Sequence, residues 1–371
     1  MKLQRYGSAA GVALLAATAL SACGTDNNST SSTSTSASSS GASTAKVSCP
    51  SGTLTSAGST AQANAVTQWT KDYQGTCSGV TVNYNANGSG AGVTSFTNKQ
   101  ADFVGSDYPL SATQQPTADA RCGTGNKAID IPAVPGAIAV VFNVPGVTTL
   151  NLSAKNLAAI FDGTVKNWND AAIAADNAGV TLPNLPIQPF SRSDTSGTSY
   201  NFSAYLHALA PSFAAANKQW PGTAGQGVKG SSAVAAKVAA TSGAIGYAEY
   251  SYATQSKLSY AKVSNQAGAF VELTQANATN FIAKAKVVQD GADTRLNFDY
   301  TYSDASAYPA VLVTYEIVCG TGNDAAQLPL IQGFLGYIVS SAAQNELTGL
   351  GYVPLPAAVA TADTQVISAL K

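Results

Sequence analysis

Apolar positions along the chain fall into two alternating spacings. Short runs with the period of a strand, VTVNYN (80–85), AIAVVFNV (137–144), AIGYAEY (244–250) and AVLVTYEIV (310–318), recur between stretches whose apolar residues lie three and four apart. A period near two puts side chains on alternate faces of a strand, and a period near 3.6 gathers them on one face of a helix. One helical stretch carries its own boundaries: Ser153 reads as the N-cap, Leu157, Ile160 and Phe161 as the buried stripe, and Gly163 as the stop. Strands alternating with helices predict an α/β fold. About 325 residues follow position 46, more than one compact core usually holds, so two lobes are expected.

The N-terminus departs from this pattern. Lys2 and Arg5 precede the apolar run GVALLAATAL (11–20), which is followed by LSAC (20–23). A membrane span needs roughly 20 apolar residues, so 1–22 reads as an export signal and not a span. The cysteine at the cut resembles the lipobox of bacterial lipoproteins, which implies acylation of Cys23. The stretch after it, GTDNNSTSSTSTSASSSGASTAK (24–46), has almost nothing to bury, so 23–46 is expected to be a flexible tether. The folded part would then stand off the extracytoplasmic face of the cell membrane, held by the lipid alone.

Export changes the reading of the remaining cysteines. Cys49, Cys77, Cys122 and Cys319 are an even set in an exported chain and suggest two disulfides. Three pairings are open. Cys49 with Cys77 is favoured because each sits just ahead of a strand-like run, leaving Cys122 and Cys319, both in a repeated CGTGN. No CxxC occurs and His207 is the only histidine, so no metal site is expected. Net charge is −1 with 11% charged residues and no basic block, which argues against a nucleic-acid partner. Any anion bound here must be held by local groups.

Such groups occur in four loops. SAGSTAQANAVTQW (56–69) places Gly58, Ser59 and Thr60 before a helical stripe of Ala65, Val66, Trp69 and Tyr73. NANGSGAGVTSF (85–96) repeats the arrangement with Gly88, Ser89 and Gly90. SRSDTSGTSYNF (191–202) does so with Ser196, Gly197 and Thr198, and adds Arg192 and Asp194 two apart. ADFVGSDYPL (101–110) is an apolar strand ending on Ser106 and Asp107. The first N–H groups of a helix lack intrahelical partners and carry partial positive charge, so an anion there meets donors that already exist. Glycine allows close approach, and Ser or Thr adds an O–H without bulk. A lone Ser or Thr before a helix is also an ordinary N-cap. No G-x-x-x-x-G-K-[ST] is present, and GSGAG lacks the G-x-G-x-x-G spacing.

In this order the loops resemble those of the phosphate-binding lipoprotein, the substrate-binding component of the bacterial phosphate ABC importer. The resemblance runs over nearly the whole mature chain, through GSGAG, DFVGSD, LAAIFDGTVKNWNDAAIA, RSDTSGTSYNF, KGSSAVAAKV, GAIGYAEYSYA, YPAVLVTYEIVC and GYVPLP. It implies the two-lobed periplasmic-binding-protein fold of type II, each lobe a mixed sheet flanked by helices, with two hinge crossings. Lobe 1 would comprise 47–142 and 298–371, and lobe 2 would comprise 143–297. It implies a monomer that binds inorganic phosphate, uses no cofactor, is not an enzyme, and meets a permease and an ATPase. Carried over by position, the phosphate ligands would be Ser59, Thr60, the backbone of Ala61, Ser89 and Asp107 from lobe 1. Arg192, Asp194, Ser196, Gly197 and Thr198 would come from lobe 2. Ala61 stands where some members carry an aromatic, and Thr195 where glycine is common.

The residues assign roles on their own account. Arg192 presents a planar fork suited to phosphate oxygens, and Asp194 is read as the partner that holds the fork. Phosphate bears a proton near neutral pH and can donate to Asp107, whereas sulfate cannot, so one carboxylate separates the two oxyanions. Two alternatives differ in class. A binding protein of the same fold for another oxyanion or small ligand would lack that use of Asp107. A secreted serine hydrolase would need a base, yet on a helix over 198–207 His207 lies ~14 Å along the axis from Thr198 and about 180° around it.

Overall fold

The computed structural model describes residues 48–371; the export signal (1–22), Cys23 and the tether (23–46) lie outside the described residues. Nine strands make the main sheet. They are β1 (Gly52–Gly58), β2 (Val80–Asn85), β3 (Phe103–Ser106), β4 (Ala128–Asn143), β5 (Gln188–Arg192), β6 (Gln226–Val228), β7 (Ala244–Glu249), β8 (Ser259–Tyr260) and β9 (Val311–Cys319). Their order is β2-β1-β3-β9-β4-β7-β5-β6, with β8 also paired to β4. β1 pairs in parallel with β2 and β3, and β5 in parallel with β6 and β7. Between these parallel groups β9 and β4 run antiparallel.

β4 joins the two halves. Residues 128–137 pair with β9 and 138–143 with β7, so the partner changes at Ala137/Ile138 inside one strand. The apolar run at 137–144 indicates only the second half of β4, because Pro132 and Pro135 interrupt the first half as read from sequence. Proline cannot donate to a ladder and is tolerated where pairing is irregular. Here the register shifts between Thr314 and Tyr315, opposite Pro132 and Val134.

The apolar interior divides accordingly. Leu54, Trp69, Tyr73, Phe103 and Phe334 belong to one buried cluster. Phe142, Phe161, Trp168, Phe202 and Tyr247 belong to another, larger one. Each half of the sheet is thus packed against helices over its own core, the two-lobed α/β arrangement expected. Ser153 caps the helix Ala154–Phe161 by accepting from the Asn156 N–H at 3.2 Å, and Gly163 follows with φ +74°, as its sequence predicts. Cys49 is bonded to Cys77 and Cys122 to Cys319, with Cα atoms 5.0 and 5.5 Å apart, the pairing favoured above. The second bond staples the helix Gln115–Cys122 to the end of β9 across 197 residues.

Candidate functional site

Parallel strands followed by helices bring their C-terminal ends to one line, where the unpaired helix N–H groups also gather. The helices concerned are α1 (Ala63–Thr76) after β1, α2 (Ser89–Thr97) after β2, α3 (Gly197–Leu209) after β5 and α4 (Ser231–Ala240) after β6. All ten residues expected to hold the anion meet in this cleft or its immediate support. Asp107 is 2% exposed, Arg192 3% and Thr198 fully buried.

Arg192 ends β5 and is gripped at both ends of its fork. Nε donates to Asp194 Oδ1 at 2.7 Å and Nη2 to Asp194 Oδ2 at 2.5 Å. Nη1 is left to point at Thr198 Oγ1, 3.5 Å away, and Ser231 Oγ, 3.3 Å away. A bidentate pair of this kind is stronger and more directional than a single ion pair. Burial alone would raise the Asp194 carboxyl, but the Arg192 guanidinium and the Gly230 N–H outweigh it and hold the group below its ordinary range. The pair is therefore a built device and not a solvent-screened surface bridge.

Asp107 follows β3 and accepts from three hydroxyls. Ser59 Oγ makes a short bond to Oδ1, Thr314 Oγ1 donates to Oδ1 at 2.8 Å, and Thr198 Oγ1 donates to Oδ2 at 2.9 Å. Ser59 also accepts from the Ala61 N–H at 3.0 Å, so its one O–H is given to Asp107 and its role is to support the carboxylate. Ser89 opens α2 and receives the N–H groups of Asp107 and Gly197 at 3.2 and 3.4 Å. Ser196 caps α3 by accepting from the Ser199 N–H at 3.2 Å, so the bland capping role is real for this residue. Thr60 and Ser59 do not cap α1, whose N-cap is Gln62. Their carbonyls are instead held by tyrosines: Tyr252 donates to Thr60 O, Tyr84 to Ser59 O, and Tyr352 to Ala61 O, at 2.6 to 2.7 Å.

The two sides of the cleft touch. Thr60 Oγ1 lies 3.1 Å from Ser231 Oγ, Gly90 N–H donates to Thr195 O at 3.0 Å, and Asn201 Nδ2 donates to Asp107 O at 2.7 Å. Such closeness requires glycine at two points. A Cβ on Gly197 would sit 2.6 Å from the Asp107 Cβ, and one on Gly88, whose φ is +103°, 2.3 Å from Asp194 Oδ2.

Sequence reasoning did not single out Ser231 or Thr314. Ser231 follows Gly230 and opens a helix, with Lys229 two residues before it, so the local signal that marks the other loops is present there as well. Thr314 is one hydroxyl inside an apolar strand, and only the tertiary fold shows what it faces. His207 is in the last turn of α3 with Nδ1 2.7 Å from Phe213 O, away from Ser196.

Glu316, two residues beyond Thr314 on β9, is 1% exposed with neither carboxyl oxygen hydrogen-bonded, and the Gln62 Oε1 is also without a partner. Burial lifts Glu316 from 4.5 to about 7, with the Gln62 amide opposing and the Asp107 charge adding to the lift. A folded-state value above the unfolded one means that stability is fully present below the unfolded value and is lost as pH rises through about 7. At ~1.4 kcal/mol per unit, the Glu316→Gln variant is expected to be more stable than the parent at pH 8 by up to about 3 kcal/mol. At pH 4 the two should be nearly equal, and thermal melts at both pH values check this. Equal gaps at the two values would show that the carboxyl titrates alike in the folded and unfolded chains.

A family model described as the PBP superfamily domain matches residues 29–342. The chain is 40% identical over 368 residues to the phosphate-binding protein PstS 3 of Mycobacterium leprae (strain TN), covering 96% of each chain. It is 39% identical over 363 residues to PstS 2 of Mycobacterium tuberculosis (strain ATCC 25618 / H37Rv), again with 96% of each covered. Among solved structures it resembles the high-affinity periplasmic phosphate-binding protein PfluDING bound with phosphate. That match has a TM-score of 0.69 at 22% identity and covers 84% of this chain and 92% of the other, a likeness of fold.

Proposed function

The chain belongs to the PstS family of phosphate-binding proteins within the PBP superfamily, and from that membership we propose that it captures inorganic phosphate for an ABC importer. The observation that carries the reading is the pairing of opposites in one closed cleft. Arg192, its fork fixed by Asp194, offers positive charge, while Asp107 faces the same space as an acceptor. Phosphate satisfies both, because its bare oxygens accept from Arg192 and from the donors at the cleft, and its proton is given to Asp107. Ser89, Gly197, Thr198 and the loop 59–61 complete the donor set. Its direct ligands are Thr60, the Ala61 backbone, Ser89, Asp107, Arg192, Gly197 and Thr198, with Ser59, Asp194 and Ser196 supporting them.

Residues 47–142 with 298–371 form one lobe and 143–297 the other, closing on the ion as a monomer. Cys23 carries a lipid, and the tether lets the lobes reach a permease and its ATPase on the outer side of the cell membrane. The protein binds and releases without catalysis. Mass spectrometry of the membrane-extracted chain tests the acyl group on Cys23. The binding reading is tested by calorimetric titration of the ligand-stripped protein with phosphate and with sulfate. Tight phosphate binding without sulfate binding is expected; comparable binding of both ions, or of neither, would assign the cleft to a different ligand.

A further inference from the structure

β9 crosses the floor of the cleft, contributes none of the residues assigned to the anion, and yet places one hydroxyl against its most selective group. Thr314 is fully buried in a strand otherwise built of apolar and aromatic side chains and Glu316, at the point where the ladder with β4 shifts register. Register irregularities of this kind recur beside functional sites, where strict pairing gives way to the aim of a side chain. The Thr314 O–H donates to Asp107 Oδ1 at 2.8 Å.

A carboxylate has about four lone-pair positions. In Asp107, Ser59 and Thr314 occupy both positions on Oδ1, and Thr198 occupies one on Oδ2. The position left is on Oδ2, the oxygen next to Thr198, whose Oγ1 in turn lies 3.5 Å from Arg192 Nη1. We propose that Thr314 determines oxyanion specificity by closing Oδ1 of Asp107, so that the carboxylate can meet a ligand only as an acceptor at Oδ2. This rests on the phosphate reading and adds a residue to it. Without the Thr314 O–H, Oδ1 has an open position. The carboxyl can then turn, or carry a proton there and offer it to a ligand that has none. Ser59 alone does not prevent this, since one donor leaves Oδ1 half filled.

A valine at 314 keeps the branched shape and removes only the O–H, whereas a serine keeps the O–H and removes a methyl group. In the otherwise unaltered chain, Thr314→Val is expected to weaken phosphate binding by about ten- to a hundredfold, the range for losing a hydrogen bond to a charged group. Sulfate binding should be unchanged or stronger, so the ratio of the two affinities narrows. Thr314→Ser should recover most of both. In an Asp107→Asn background the further change to valine should alter the ratio little, because the group it acts on is gone. If Thr314→Val does not fold, as judged by its melt, Thr314→Ala with the same serine control answers the question. A folded Val or Ala variant with the parent's ratio, or a serine variant as impaired as valine, overturns the proposal. Failure of the parent to bind phosphate overturns the phosphate reading instead.

Discussion

Replacing Arg192 by leucine is expected to lower phosphate affinity by about a thousandfold, the upper part of the range for truncating one member of a buried hydrogen-bonded charge pair. Three effects add in the same direction. The guanidinium carries the positive charge that the cleft offers. Its removal leaves the Asp194 carboxyl with backbone N–H donors, that of Gly230 among them, but without its charged partner, in a position where burial opposes ionisation. Asp107 then repels the incoming anion with nothing to offset it. Arg192→Lys separates charge from geometry. A lysine supplies the charge as a point, but it cannot fill Asp194 Oδ1 and Oδ2 and still extend a third donor towards Thr198 and Ser231. An intermediate loss of about ten- to a hundredfold is expected for it. Titration calorimetry at fixed salt reads both, and a lysine variant equal to the parent would show that the fork geometry contributes nothing.

The parts of this site that were legible in the sequence share one property: each announces itself locally. Gly-Ser and Gly-Thr before a helical stripe, an Arg-x-Asp, and a strand ending on Asp107 carry their chemistry within about ten residues, and the fold class follows from alternating periods in the same way. What was not legible depends on contacts across the chain. Thr314 reads as an ordinary strand residue until β9 is laid beside β3, 207 residues away from Asp107 in sequence. Tyr352 supports Ala61 O from 291 residues away. The first half of β4 was hidden because its prolines violate the local rule for strands, and only the irregular ladder opposite explains how they fit. Glu316 breaks the rule that buried carboxylates have partners, and it does so directly behind the cleft, where such violations concentrate.

Asp107→Asn bears most directly on selection. In the parent, sulfate would bring only lone pairs to Oδ2 of Asp107. An unmatched buried acceptor of this kind costs several kcal/mol, which corresponds to exclusion by about a thousandfold or more. In the variant the orientation of the amide is not arbitrary. Ser59 and Thr314 both donate to the Oδ1 position, so the carbonyl oxygen belongs there and the NH2 takes the place of Oδ2. The group facing the ligand thus changes from acceptor to donor, and one negative charge leaves the cleft. Sulfate gains on both counts. Phosphate loses the acceptor for its proton but also escapes the charge repulsion, and it can turn a bare oxygen towards the new N–H, so its affinity should change by about tenfold at most. The ratio of the two affinities is therefore expected to fall by roughly a hundredfold or more, measured by titrating both ions into both proteins at one pH and ionic strength. If the asparagine variant still excludes sulfate, discrimination must come from the size of the closed cleft and not from the ligand's proton. In that case Thr314, which acts through the same carboxylate, would have no part in it either.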